Sequence, residues 1–426
     1  MSINGIPIYL RRKSHLTFWS NAPFTLAIGT DSGAEWDGTL QYSTDEQTWN
    51  TWNGRTISSN AANRLFLRGV GNTRLRTSTA SNEGRFLMTG SGIHCDGELN
   101  TLLDYRAVEN GRQPTVASAN IFAELFKGCT ALVSAPRLSL KSVPRYGYYR
   151  LFKGCTNLVS MPPMSATSTG TNACEQMFDG CTSLTGTQNI RVTQLQTSAL
   201  RQMFRGCTSL TTAPQILATS FAPGASASCY GMYDGCTSLV NASVPQINTL
   251  ATDCYTLMFN GCTALVNAPA LPATTLAGGC YQMMFDGCTS LTNAPALPAT
   301  TLAGQCYRQM FQGCTSLATT PALRATSVGN GSCYLMFDGC TSLTTLPALP
   351  ATLFSGDDWY YGMFNGCTNI KVSRTQTSVY AYEYRIPTHG SGPSGTISQM
   401  FTGTGGTFTG SPSMNTTYYT NNQPIT

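Results

Sequence analysis

An aromatic residue followed two positions later by Gly-Cys-Thr recurs ten times in this chain, with the cysteine at Cys129, Cys155, Cys181, Cys207, Cys236, Cys262, Cys288, Cys314, Cys340 and Cys367. The period is 26 throughout, except for one longer step between Cys207 and Cys236 and a slightly longer one between Cys340 and Cys367. One such unit cannot bury its apolar face alone, so neighbouring copies must stack, and the period decides the fold before any other feature. In the most regular unit, Cys288 to Gly313, Leu291 and Ala294 bracket a short extended segment that Pro295 and Pro298 end, because proline supplies no ladder donor and restricts its predecessor. Thr300 or Thr301 is then placed to cap a helix. Its apolar positions Leu302, Cys306, Met310 and Phe311 follow helical spacing, and Gly313 stands where a left-handed terminus is wanted. Each unit reads as a short parallel strand, a proline-rich bend and a helix. Nine intervals at roughly 4.8 Å predict a parallel sheet about 43 Å long.

The ten cysteines form a predicted structural ladder, and Cys174, Cys229, Cys254, Cys280, Cys306 and Cys333 form a second row on the predicted helix. Free cysteine behaves as a small buried hydrophobe, which suits an interior row. No Cys-x-x-Cys pair occurs among the 17 cysteines, so no metal and no cofactor is expected. Ten equivalent positions offer no unique disulfide pairing, which predicts thiols. The threonine after each cysteine is suited to bonding backbone at the turn. Asn241, Asn267 and Asn293 share one position in three consecutive repeats and predict a stacked amide row, which either satisfies buried backbone or faces a glycan or partner. They are the candidate binding face. The residues before Gly-Cys vary (Lys127, Lys153, Asp179, Arg205, Asp234, Asn260, Asp286, Gln312, Asp338, Asn365) and are predicted to face solvent at the helix ends.

Only 11% of residues are charged and the net charge is +5, so the surface is uncharged and polar. The run Arg11, Arg12 and Lys13 is too short for a nucleic-acid footprint and reads as a solvated face. No window approaches the roughly 18 apolar residues of a membrane span, so no membrane insertion is expected. Met1 to Leu10 lacks an export pattern, which implies cytosolic synthesis if Met1 is the natural start.

The string Met-Phe-x-Gly-Cys-Thr-Ser-Leu-Thr-x-Ala-Pro-x-Leu-Pro-Ala-Thr-Thr-Leu-Ala-x-x-Cys-Tyr resembles the BspA-like leucine-rich repeats. Phe285-Asp286-Gly287-Cys288-Thr289-Ser290-Leu291 and its counterparts carry the resemblance over residues 118–370. Such repeats abound in surface proteins of gut bacteria and structural proteins of their phages. The resemblance implies an α/β leucine-rich-repeat solenoid serving adhesion, host recognition or virion surface structure, with no catalytic residue in the motif. The chain departs from the pattern at Gly186 to Leu195, where Ala-Pro and Leu-Pro are lost, and at Phe221 to Ser228, where three residues are inserted. Both places are expected to bulge.

Residues 1–105 lack the repeat. Alternating segments at Leu16 to Trp19, Phe24 to Gly29, Thr39 to Ser43, Thr48 to Trp52, Arg64 to Val70 and Arg85 to Thr89 predict an antiparallel β-sandwich for attachment or oligomerisation. Ser43 to Trp49 looks like an Asp-box hairpin without its glycine, a structural motif. Trp19, Trp36, Trp49 and Trp52 read as core rather than a sugar-stacking platform. Leu99, Leu102 and Leu103 suggest a helix between Glu98 and Gln113 that shields the end of the solenoid. The solenoid is assigned residues 106–370. A cap and extended tail take 371–426; around this end Trp359-Tyr360-Tyr361 and Tyr380 to Tyr384 form an aromatic cluster, and Met400-Phe401-Thr402-Gly403 echoes the repeat without its cysteine.

The expected function is therefore a non-enzymatic phage virion protein of tail-fibre or head-fibre type. Its partners would be virion proteins or its own copies in a homo-oligomer, and a host cell-surface glycan or protein. The alternatives are a bacterial cell-surface adhesin and, more remotely, an enzyme acting on polysaccharide. No catalytic residue is expected. None of His15, His94 and His389 lies in a nucleophile or metal motif, and acidic residues are too scattered to predict a glycosidase pair.

Overall fold

A computed structural model describes residues 2–3, 6–7, 13–29, 36–75, 84–387 and 397–426. Arg11, Arg12, His389 and much of the opening segment lie outside the described residues. The chain divides into two compact units, Met1–Gln188 and Asn189–Thr426. Its regular structure is mostly short strands in many small sheets, with one α-helix among the described residues. Among the described residues no sheet closes into a barrel.

In the first unit Leu16–Trp19, Thr39–Ser43 and Arg64–Val70 are strands, with the limits read from sequence, and runs of buried residues at Leu16 to Phe18 and Leu65 to Leu67 place two of them in the core. They belong to a six-stranded sheet ordered Leu132–Ser134, Ile93–Asp96, Leu16–Trp19, Arg64–Val70, Thr39–Ser43, Asn50–Trp52. Every pair is antiparallel except the first, which is parallel. A second sheet holds Ile57–Ser58, Thr25–Ile28 and Phe86–Thr89. Phe18 and Trp52 of the larger sheet meet Phe86 of the smaller, with ring centroids 6.0 and 6.4 Å apart. The parallel strand Leu132–Ser134 belongs to the first repeat, so hydrogen bonding runs without a break from the opening sheet into the repeats.

The helix is Thr101–Glu109, broken at Asp104, whose φ of −149° and ψ of 103° are not helical. It packs on Arg64–Val70. Asn72 donates its side-chain amide to the Leu102 carbonyl and its backbone N–H to that of Leu103, at 3.0 and 2.9 Å. A Cβ at Gly69 would fall 1.7 Å from the Leu102 oxygen, so this contact requires glycine. The helix thus covers the opening sheet.

Inside the repeats the predicted helices are absent. From Gln305 to Gly313, alternate N–H groups take different partners. Those of Gln305, Tyr307, Gln309, Phe311 and Gly313 donate to carbonyls of the next repeat, whereas those of Cys306, Arg308, Met310 and Gln312 donate three residues back. An α-helix would send every N–H four residues back. The segment is instead a run of tight turns, each reset by a left-handed residue: φ is 59° at Gln305, 55° at Gln309 and 66° at Gly313. Burial follows the same four-residue period, with Cys306-Tyr307 and Met310-Phe311 inside and Arg308-Gln309 and Gln312-Gly313 partly exposed. Over nine residues this period cannot be told from the 3.6 of a helix, which is why the sequence reads as helical.

The expected long sheet is likewise replaced by brief contacts. Thr301–Leu302, Ser327–Val328 and Leu353–Phe354 pair in parallel, each residue opposite its equivalent in the next repeat, so Thr301 is a strand residue and not a helix cap. At the predicted strand Leu291 to Ala294 only Asn293 forms a bridge, to Asn267. Stacking is carried by the backbone bonds of the turn segments and by side chains. In the second unit Phe259, Phe285, Phe311, Phe337 and Phe364 succeed one another with ring centroids 5.5–5.7 Å apart and planes within 8° of parallel.

The motif cysteines lie beside this column. Their thiols donate to the carbonyl of an aromatic residue one rung back, for example Cys314 Sγ to Phe285 O at 3.1 Å. That carbonyl also accepts the Cys288 N–H that closes its own turn, so the thiol occupies its second lone pair. All 17 cysteines are free and buried. The second row is two adjacent columns rather than one. Cys254, Cys280 and Cys306 each precede a buried tyrosine, whereas Cys174, Cys229 and Cys333 stand at the tyrosine position and follow Ala173, Ser228 and Ser332.

At the end of the second unit, Phe401 stacks on Phe364 at 5.9 Å, and Thr404 takes the cysteine position, bonding the Phe401 carbonyl at 2.8 Å. The tail is more ordered than an extended strap. Thr417–Thr420 lies between Tyr382–Arg385 and Lys371–Ser373 in a four-stranded sheet, and Ile425 pairs with Pro347 as a further rung.

Candidate binding face

The repeat fixes where its variable residues point. Each turn from Cys to Leu buries the cysteine and leucine, and the next two positions emerge on the outside. Asn241, Asn267 and Asn293 emerge there, and all three are exposed. Asn293 donates its amide to Asn267 Oδ1 at 3.2 Å and to Thr292 Oγ1 at 3.1 Å, which makes the predicted amide row at that step. Asn241 turns instead to Thr212 Oγ1 at 3.5 Å. Their neighbours Val240 and Val266 are 45% and 39% exposed, unusually open for valine. The face therefore sets an apolar row beside an amide row. It can hydrogen-bond and exclude water without presenting charge.

The column before Gly-Cys is not the solvated surface expected of it. All ten residues are buried or half-buried. Lys153 Nζ meets Asp179 at 2.7 Å in the first unit. In the second, Asp338 accepts amides from Gln312 and Asn365 at 2.8 and 2.7 Å, and Asp234 accepts one from Asn260 at 2.7 Å. Acid and amide alternate, and bonds join the neighbouring rungs at 234–260, 312–338 and 338–365. Burial, and after it the Asp338 carboxylate, pushes Asp286 up to about 6.

The tryptophans do not assemble a platform. Trp52 is core, Trp49 lies under Arg68 at 3.9 Å, and Trp19 stacks on His94 at 4.0 Å. Asp45 closes the hairpin at Ser43 to Trp49 by accepting the N–H groups of Gln47 and Thr48 at 2.9 and 2.7 Å. These bonds hold its carboxyl well below the usual range.

Among the described residues no three His, Cys, Asp or Glu side chains converge as metal ligands, and no helix is long and apolar enough to cross a membrane. Burial raises the thiols, Cys129, Cys174 and Cys340 to about 12, which suppresses the thiolate needed for nucleophilic or metal chemistry.

The feature that the sequence marked only as a bulge is the three-residue insertion at Phe221 to Ser228. It opens a cleft of about 610 Å³ in the second unit. No protein-family model matches the chain, and no curated protein is similar to it.

Proposed function

We propose that this protein is a non-enzymatic structural component of a phage virion, of tail-fibre or head-fibre type. In this reading a BspA-like leucine-rich-repeat solenoid follows an N-terminal β-sandwich and displays its uncharged face to a glycan or protein on the host cell. The observation that carries the reading is the exposed row of Asn267 and Asn293 beside Val266, set against a repeat motif whose own side chains are used up in internal stacking. Weak, repeated, neutral contacts of this kind gain strength from multiple copies. The repeats depart from a strand-plus-helix unit by building their second side from turns.

The test is twofold. Antibody against the chain should label assembled particles from infected cells, and purified chain should bind host cells. A chain found only in the envelope of uninfected bacteria would instead establish the adhesin. In binding, the triple variant N241A/N267A/N293A should weaken cell attachment at least tenfold while keeping the wild-type circular dichroism. Full attachment by the folded variant excludes this face.

A further inference from the structure

We infer that the cleft opened by the insertion is a binding site for a neutral saccharide. The cleft lies between two rungs that are joined at both ends and parted in the middle. Thr212 bridges Asn241 before it and Ser226 bridges Thr252 after it. Between these junctions the earlier rung runs from Thr212 to Ser226 and the later one from Asn241 to Thr252. The earlier rung is thus the longer by the three inserted residues and must bow away. Ser220–Phe221 pairs backwards with Gln194–Leu195, and Thr249 pairs forwards with Thr275. Among the described residues no pairing joins Ser220–Phe221 to Thr249. Gly224, at φ of 70° with nothing within 4 Å of a Cβ, turns the bowed loop outward, and the Ala225 N–H closes that turn on the Ala222 carbonyl at 3.0 Å.

The walls restrict what can enter. No charged side chain lines the cleft. An anion or cation would shed hydration there without a charged partner. A purely apolar molecule would strip water from the hydroxyls of Thr219, Ser220, Thr249 and Thr252, leaving them unsatisfied. Those four hydroxyls make no hydrogen bond to protein among the described residues. The parted backbone edges at Phe221 and Thr249 add donors and acceptors of the same neutral kind. Phe221, half-buried and tilted 60° against Tyr255 at 6.0 Å, supplies one aromatic wall. Hydroxyls, amides and one ring suit a ligand that is uncharged, rich in hydroxyl groups and has an apolar C–H face. A sugar ring has all three properties. The volume of about 610 Å³ lies inside the span of small-ligand sites, roughly 300–1,000 Å³.

This inference deepens the display reading and rests on it for its biological sense, but its test is independent. Saturation-transfer NMR on the intact chain uses maltotriose and chitotriose as neutral probes, trigalacturonate as an anionic one and an uncharged Gly-Ser hexapeptide as a strand mimic. At least one neutral sugar should show transfer and bind with a Kd in the micromolar to millimolar range. Thr249→Arg, which places a charged side chain at the exposed mouth, and Phe221→Ala should each weaken that binding at least tenfold. N267A/N293A, outside the cleft and its junctions, should leave it unchanged. Absence of transfer from both neutral sugars to folded protein overturns the site, as does equal binding by folded Thr249→Arg, or preference for the anionic sugar or the peptide. If sugar binding is absent while host cells are still bound, the cleft assignment fails and the display reading stands.

Discussion

Cys129 donates its thiol to the carbonyl of Phe86 across 3.3 Å, the same bond that later motif cysteines make to the aromatic residue one repeat earlier. Phe86 is not part of a repeat. It is the first residue of a strand in the smaller, three-stranded sheet, far back in the chain, yet its ring also meets Phe126 at 4.9 Å. That sheet thereby supplies the rung on which the first repeat is built. This is how a stack that cannot bury its own end is terminated.

If the thiol serves as both filler and donor, Cys314→Ala should cost about 1–2 kcal/mol, from a small cavity and one lost weak hydrogen bond. Urea unfolding followed by circular dichroism checks this. An unchanged midpoint would mean that the thiol contributes nothing to the rung contact.

Tyr233 stands in the aromatic column, stacked on Phe204 and Phe259 at 5.7 and 5.5 Å, with its hydroxyl buried and without a partner among the described residues. Tyr233→Phe should stabilise the protein by about 1 kcal/mol, because a buried hydroxyl with no protein partner is removed at constant shape. The readout is again the urea midpoint, which should rise.

Gly313 has φ of 66° and sits over Gly287, whose Cα would be 3.7 Å from an added Cβ. The space is adequate, so Gly313→Ala isolates the conformational cost, roughly 1–2 kcal/mol for a left-handed residue bearing a Cβ. Gln309→Gly, at φ of 55°, should show little loss or a gain despite placing glycine within ordered structure. A helix would give the opposite order. Thermal unfolding of the two variants decides between them.

The buried thiols should make stability sensitive to alkali. Burial raises Cys129, Cys229 and Cys340 from 9.0 to about 12, so the folded state holds these protons more tightly than the unfolded state. Their contribution is complete below pH 9.0 and is lost as pH rises toward 12. Each thiol adds up to about 1.4 kcal/mol of loss per pH unit in that window. Urea midpoints should agree at pH 7 and 8 and fall steeply from pH 9 to 11. A flat profile to pH 11 would contradict the burial of these groups.

Asp286 works in the same direction at lower pH. Its folded pKa of about 6 lies above the ordinary 3.8, so its stabilising protonated form is complete below 3.8 and is lost as pH rises through 6. Asp286→Asn should therefore raise stability at pH 7.5 by on the order of 1 kcal/mol, a figure discounted for partial exposure. The gain should vanish at pH 4. Melting temperatures at the two pH values provide the check.

The sequence alone determined the period, the parallel stacking of like residues, the burial of every motif cysteine and the limits of three opening strands. These follow from identity at fixed spacing: residues one period apart must meet their equivalents once copies stack. Tertiary structure decided what joins the copies. Cys306, Met310 and Phe311 satisfy a helix and a four-residue turn repeat equally well over so short a segment. Only the destination of alternate N–H groups, out to the next rung or back by three, separates the two, and that depends on the neighbouring repeat, not on the local chain. The insertion at Phe221 to Ser228 shows the same division. Its three extra residues are plain in the sequence, but the cleft exists because both flanking junctions hold while the longer rung between them bows.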